Sequence, residues 1–257
     1  MLTRTELAEF SRFKRLSMRY VEKDYLNDIG LTEISRTGKA LVFKGGTALY
    51  KFYGLNRFSE DLDFSVNKRN FDYETLKGRL IRAYRLLDIE VTSVQQEEHQ
   101  RGITLVLLIK GPFYNGSRDS LARLPLDFSS RERPREHGTR QFRSIYPELP
   151  PTDIDVMEMK EIVAEKVRAI MTRDKPRDAF DLWFLLKNGV DMNVPLIERK
   201  LKLYGSSFSM DGLLSALKGK KRLWETDLRG KVIGDLPRYE DVLAEIEELM
   251  GKALARE

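Results

Sequence analysis

A Gly-Gly turn followed by an Asp-x-Asp strand constrains this chain more than any other feature: Phe43-Lys44-Gly45-Gly46-Thr47-Ala48-Leu49, then Arg57-Phe58-Ser59-Glu60-Asp61-Leu62-Asp63-Phe64. Ala40 to Phe43 is an apolar run of strand length, and Thr47 to Tyr53 reads as a helix opened by a threonine cap. Gly45 and Gly46 sit at the joint. Having no side chains, they allow positive φ and close approach of a phosphate, and the first N–H groups of the following helix favour an anion. Further on, strict alternation in Asp61-Leu62-Asp63-Phe64-Ser65-Val66 places Leu62, Phe64 and Val66 on one strand face and both aspartates on the other. Two like charges one pleat apart repel, and a divalent cation is the usual remedy. Mg²⁺ prefers one or two carboxylates, waters and substrate phosphates to an all-protein cage. The expectation is a metal-bound nucleoside triphosphate, with its phosphates at Gly45, Gly46 and Thr47 and Mg²⁺ on Asp61 and Asp63. An Asp-x-Asp on a solvated strand, or a Gly-Gly turn by itself, is commonplace; the meaning lies in their order and spacing.

The stretch from Phe43 to Val66 resembles the signature of the AbiEii toxin family, nucleotidyltransferases of the polymerase-beta type that form the toxin half of type IV toxin-antitoxin pairs. Between Gly46 and Asp61 fourteen residues intervene, 47 to 60, slightly more than is commonest in the superfamily. Ser59-Glu60-Asp61-Leu62-Asp63 is similar to the family's own version of the motif. The resemblance implies transfer of a nucleotide from an NTP to an acceptor hydroxyl, with Mg²⁺ as cofactor. It also implies a toxin-like role, an RNA acceptor such as tRNA, and a cognate antitoxin that acts directly or indirectly.

Downstream residues extend the pattern. In Leu124-Pro125-Leu126-Asp127-Phe128 the alternation sets Leu124, Leu126 and Phe128 on one face and leaves Asp127 on the other, where it can face the same cleft as Asp61 and Asp63. Pro125 points to an edge strand. A third carboxylate suits the polymerase-beta-type plan, in which it binds metal and orients or deprotonates the acceptor hydroxyl. Asp127 through Arg131-Glu132 is similar to a further family stretch. Glu165-Lys166-Val167-Arg168-Ala169 resembles the family's Glu-Lys-x-x-Ala motif, which implies an active-site role for Lys166, offsetting charge on the leaving pyrophosphate. Without the resemblance, that segment is an amphipathic core helix with charged edges. Arg177-Asp178-Ala179-Phe180-Asp181-Leu182 resembles the last family motif, so Asp178 joins the catalytic candidates and Asp181 the nucleotide-binding ones. The two lie one turn apart on a helix, and an acidic first turn suiting the helix dipole is the plainer reading. Lys44 and Arg57 are candidate phosphate contacts, with ordinary surface roles as the alternative.

The bulk properties narrow the class. With 257 residues, 41% hydrophobic and 33% charged, the chain has enough material for one large domain or two smaller ones. Cysteine is absent, which removes disulfides and thiolate chemistry. No leading apolar segment and no apolar run of about 18 residues is present, so a cytoplasmic location without membrane association is expected. The net charge of +5 favours an anionic partner. Basic residues gather at Arg12 to Arg19, Arg131 to Arg135 and Lys218 to Arg222, each a candidate phosphate-contacting patch, although little aromatic interleaving accompanies them.

Helical spacing covers Thr3 to Asn27 as one or two helices and Phe71 to Leu87 as another. Ile89 to Val94, Ile103 to Ile109 and Leu121 to Phe128 read as strands, and nearly everything after Val156 reads as helix. The expected fold is α+β: a polymerase-beta-type core with a mixed sheet and N-terminal helices over 1–150, and a helical domain over 151–257 that completes the active-site cleft. A nucleotidyltransferase acting on a small molecule or a protein, and a non-catalytic NTP-binding or interaction module, remain as alternatives. Oligomeric state is left open.

Overall fold

The computed structural model describes residues 1–254 and divides into two units, Met1–Gly54 with Phe58–Met157, and Leu55–Arg57 with the chain from Glu158 onward. The first unit contains helices α1 (Arg4–Lys14), α2 (Met18–Ile34), α3 (Gly45–Phe52) and α4 (Tyr73–Arg85). Its strands are β1 (Leu41–Lys44), β2 (Leu62–Val66), β3 (Glu90–His99), β4 (Gly102–Lys110), β5 (Ala122–Ser129), β6 (His137–Phe142) and β7 (Thr152–Met157). The second unit is helical: α5 (Met159–Thr172), α6 (Pro176–Lys187), α7 (Val194–Lys202), α8 (Met210–Lys218), α9 (Trp224–Leu228) and α10 (Tyr239–Leu254).

As expected, the fold is α+β around a mixed sheet, with seven strands in the order β3-β4-β5-β2-β1-β7-β6. β1 runs antiparallel to β2, whereas β2 is parallel to β5 and β1 to β7. Register aligns Phe43, Phe64, Phe128 and Ile103 across four strands. The three rings pack in a row, Phe43 tilted against Phe64 with centroids 5.2 Å apart and Phe64 stacked on Phe128 at 5.4 Å. Aromatic cross-strand contacts of this kind lock the register, because a slip of one residue would turn the whole row to the other face. Helices α2 and α4 cover this face. Leu76, Leu80 and Tyr84 of α4 are buried, and the Tyr84 hydroxyl donates to the Leu26 carbonyl of α2 at 2.7 Å.

Several expectations change. The N-terminal helical stretch is two helices: Thr3 and Glu6 cap α1 reciprocally, Arg15 ends it at φ 54°, and Ser17 opens α2, which continues to Ile34. α3 begins at Gly45, and Thr47 does not cap it. β5 is not an edge strand, since it lies between β4 and β2. Pro125 is accommodated because the parallel ladder with β2 begins only at Leu62↔Leu126, leaving position 125 without a β2 partner. β3 runs past Val94 to His99, and its exposed outer half carries charges such as Glu97 and Glu98 that suit an edge. β6 and β7 were not anticipated; with them the sheet unit runs to Met157, beyond the boundary expected near Pro150.

An ionic network ties α3 to the N-terminal helices. Lys51 of α3 is bound by Asp24 at 2.6 Å and by Asp28, and Asp24 also takes Lys14 and the Tyr146 hydroxyl, the latter at 2.8 Å. Burial pulls the Lys51 ammonium towards deprotonation, but Asp24 and Asp28 outweigh it and raise its pKa above the ordinary lysine value. The helix that opens at the Gly-Gly turn is thereby anchored at its far end. An i, i+4 pair of aspartates on α2 was the available sequence signal for this anchor.

Candidate active site

One row of the sheet gathers the carboxylates. Cα register places Lys44, Asp63, Asp127 and Thr104 side by side on β1, β2, β5 and β4, one residue from the phenylalanine row and therefore on the opposite face. β2 and β5 are parallel, so Asp63 and Asp127 are direct neighbours with side chains pointing the same way. Asp127 is exposed and Asp63 half-buried, whereas Leu126 and Phe128 on either side of Asp127 are fully buried. Asp61 precedes β2 and is half-buried.

The turn contributes backbone. Gly45 has φ +77°, and a Cβ added there would strike Oδ2 of Asp63 and lie 3.2 Å from its Cβ. Both the dihedral and the contact demand glycine at this position. α3 starts at this residue, so the first-turn N–H groups of Gly45, Gly46 and Thr47 have no partners within the helix. Thr47 is fully buried, and its hydroxyl donates to the Asp61 carbonyl, tying the helix start to the chain entering β2. The structure thus brings Lys44, Gly45, Gly46, Thr47, Asp61, Asp63 and Asp127 together in the sheet unit.

The remaining candidates form a separate constellation in the helical unit. Arg57 lies four residues before Asp61 in sequence, yet its guanidinium is 2% exposed and grips Asp181 bidentately, Nε to Oδ1 at 3.0 Å and Nη2 to Oδ2 at 2.9 Å. Lys166 of α5 reaches Oδ2 of Asp181 at 2.6 Å and Oδ1 of Asp178 at 3.0 Å. Arg173 closes the cluster with two bonds to Asp178, at 2.8 and 2.9 Å. Asp178 and Asp181 are completely buried. Burial would raise the Asp178 pKa, but Lys166 and Arg173 override it and hold the carboxyl well below the usual range. For Lys166, burial works towards the neutral form, and Asp181 and Asp178 reverse that, so its pKa is raised. Three cations therefore surround two carboxylates. Pro176 at the start of α6 fixes the turn from which both aspartates project.

The donor set of the sheet row suits a hard divalent cation, since adjacent carboxylates with half-open access match an ion that retains water and phosphate ligands. Among the described residues no three acidic, histidine or cysteine side chains converge into a ready-made metal cage. No described helix is long and apolar enough to cross a membrane.

Comparison with known proteins bears on the family and the fold. The family model described as nucleotidyl transferase AbiEii toxin, type IV TA system, matches residues 31–246. Among solved structures, MenT4, a nucleotidyltransferase toxin from Mycobacterium tuberculosis H37Rv, is similar with TM-score 0.66 and 20% identity, over 99% of this chain and 90% of that one. JHP933 from Helicobacter pylori is similar with TM-score 0.59 and 23% identity, over 94% of this chain and 96% of that one. At such identities the likeness is one of fold. A search of curated proteins finds no match.

Proposed function

Because the chain belongs to the AbiEii family of nucleotidyltransferase toxins of type IV toxin-antitoxin systems, we propose that it transfers a nucleoside monophosphate from an NTP to a hydroxyl of an RNA acceptor, with tRNA the expected class. The observation that carries this reading is the register pairing of Asp63 with Asp127 beside the bare backbone of Gly45. The N–H groups that open α3 receive the triphosphate, and Gly45 lets the Asp63 carboxylate lie against the turn because no Cβ stands in the way. Lys44, in register with Asp63, is assigned a phosphate contact. Asp127 takes the proton from the acceptor hydroxyl. The freed oxygen bonds to the α-phosphorus, the bond from that phosphorus to the bridging oxygen breaks, and pyrophosphate departs with the electron pair. Asp61, Asp63 and Asp127 would hold a divalent cation, Mg²⁺, which when bound neutralises charge on the phosphates.

In the helical unit Asp178 and Asp181 keep Lys166 protonated and fixed, and Arg57 is braced by Asp181. Lys166 is assigned the task of offsetting phosphate charge, with Asp178, Asp181 and Arg57 holding it in position. The family further supports a cognate antitoxin, acting directly or through the modified RNA, and a cytoplasmic site of action.

The test is incubation with each labelled NTP and Mg²⁺ in the presence of total RNA, a protein mixture or aminoglycosides. Label is expected in RNA, none with Asp63→Asn, and expression of the wild type alone is expected to slow growth. Label confined to protein or aminoglycoside would overturn the acceptor, and an equally active Asp63→Asn would overturn the site.

A further inference from the structure

The sheet unit has a second feature that the carboxylate row does not use. A cavity of about 400 Å³ lies at the far end of β2, β4 and β5, within the range of roughly 300–1,000 Å³ typical of small-ligand sites. Lys68, Arg69 and Arg133 line it, and its lining includes no carboxylate. All three cations are exposed, and among the described residues none is held in a salt bridge. Its floor is apolar and aromatic. Phe71 and Tyr73 pack edge to face at 5.1 Å, and Tyr73 rests on Phe128 of the stacked row at 5.5 Å, which gives the cavity a rigid base. His99, the last residue of β3, stands at the rim and shares a hydrogen bond with Thr104 at 3.1 Å.

We infer that this cavity binds one nucleotide unit of a single-stranded RNA, its base against Phe71 and Tyr73 and the flanking phosphates on Lys68, Arg69 and Arg133. Exposed cations beside aromatic faces are the combination that tracks a polynucleotide backbone while stacking its bases. An unpaired strand is required, because a base within a duplex cannot enter a cavity. Distribution of charge favours a polymer over a free nucleotide: the cations come from two separate loops, and exposed Arg101 extends the basic rim beyond the lining.

The three basic runs of the sequence now part company. In the run from Lys218, Lys220 and Arg222 face Asp174, and Lys221 is paired with Glu240 at 2.6 Å. The run from Arg12 gives up Lys14 to buried Asp24. Arg133 lines a cavity together with Phe71 and Tyr73, which come from a different segment of the chain, so linear sequence shows little interleaving there.

The cavity is distinct from the transfer row. Val66 and Ser130 each stand three residues beyond Asp63 and Asp127, about 10 Å at the strand rise. Tyr73 touches Phe128, so the aromatic floor of the cavity lies on the phenylalanine side of the sheet, while His99 at its rim reaches Thr104 on the aspartate side. A strand seated there passes round the sheet end before its terminus meets Asp127, so the site anchors the acceptor at a distance from the reacting hydroxyl. This inference rests on the RNA-acceptor reading.

The experiment measures anisotropy of a short fluorescein-labelled single-stranded oligoribonucleotide against the full chain, without NTP, across a salt series. The Arg69→Glu/Arg133→Glu pair is expected to weaken binding at least tenfold and to reduce the slope of log affinity against log salt by about 1.4, two phosphates at about 0.7 each. Phe71→Leu is expected to weaken binding less and leave the slope alone. Melting curves accompany each variant, with Arg69→Gln/Arg133→Gln standing in if the charge reversal unfolds the chain. Wild-type affinity and slope in folded variants would overturn the site, as would displacement of the oligonucleotide by free nucleoside monophosphate at equal phosphate concentration. RNA labelling with wild-type binding in the variants removes the cavity and keeps the acceptor; cavity-dependent binding with no RNA labelling keeps the cavity and removes the acceptor.

Discussion

The carboxylate row of the sheet and the ionic cluster of the helical unit are made from the same residue types and solve opposite problems. On the sheet, Asp63 and Asp127 are placed side by side by strand register, half-open or exposed, with Lys44 the cation of that row. In the helical unit Asp178 and Asp181 are sealed from solvent, and Lys166, Arg57 and Arg173 satisfy them. Backbone geometry sets the first pair side by side, one half-buried and one exposed. Mutual neutralisation holds the second, so its side chains are bound up with stability.

That contrast predicts two different kinds of damage. Asp127→Asn should lower transfer by about 10²–10⁴-fold, the usual worth of a general base, while leaving the melting temperature unchanged because the side chain is exposed. A large drop in melting temperature would erase the distinction between the regions. Asp181→Ala should do the reverse first, destabilising the chain by about 3–5 kcal/mol in denaturant unfolding because the buried Arg57 guanidinium loses its bidentate partner. A loss below about 1 kcal/mol would mean that the cluster is not what secures the helical unit.

The smallest effect concerns pH and sharpens the comparison. Asp178 has a depressed pKa, so its contribution is fully present above the ordinary value of 3.8 and is lost as pH falls towards the lower folded value. Lys166 has a raised pKa, and its contribution persists through neutral pH and is lost only above the ordinary lysine value of 10.5, as pH rises through the folded one. Stability measured from about pH 5 down to pH 2 should therefore fall less steeply in Asp178→Asn than in wild type. Parallel curves would remove Asp178 from the acid response.

Much of the local structure was legible in the sequence. Period-two alternation put Asp61 and Asp63 together and Asp127 opposite Leu126 and Phe128; Asp63 and Asp127 lie on strands with those faces, and Asp61 stands just before β2. Period-3.6 spacing located α4, α5 and α6, since a one-sided apolar stripe must be buried somewhere. β7 escaped although Asp153-Ile154-Asp155-Val156 alternates, because the helical pattern that starts immediately after it was read as beginning at Val156. β6 had little to read: Phe142 is its one large apolar residue, and pairing with β7 from His137↔Met157 to Phe142↔Thr152 is what makes it a strand.

Sequence by itself therefore settled which residues share a strand or helix face, because that depends only on the pitch of the chain. It also settled the family, whose model matches residues 31–246, the span that holds the Gly-Gly turn, Asp61, Asp63, Asp127, Lys166 and Asp178. Tertiary structure alone decided who stands next to whom. It paired Asp63 with Asp127, placed the Pro125 strand inside the sheet, moved Arg57 into the helical unit and turned Thr47 from a cap into a tie to Asp61. Each of these joins residues far apart in the chain or sets one side-chain bond against another, and local periodicity carries no information about such choices.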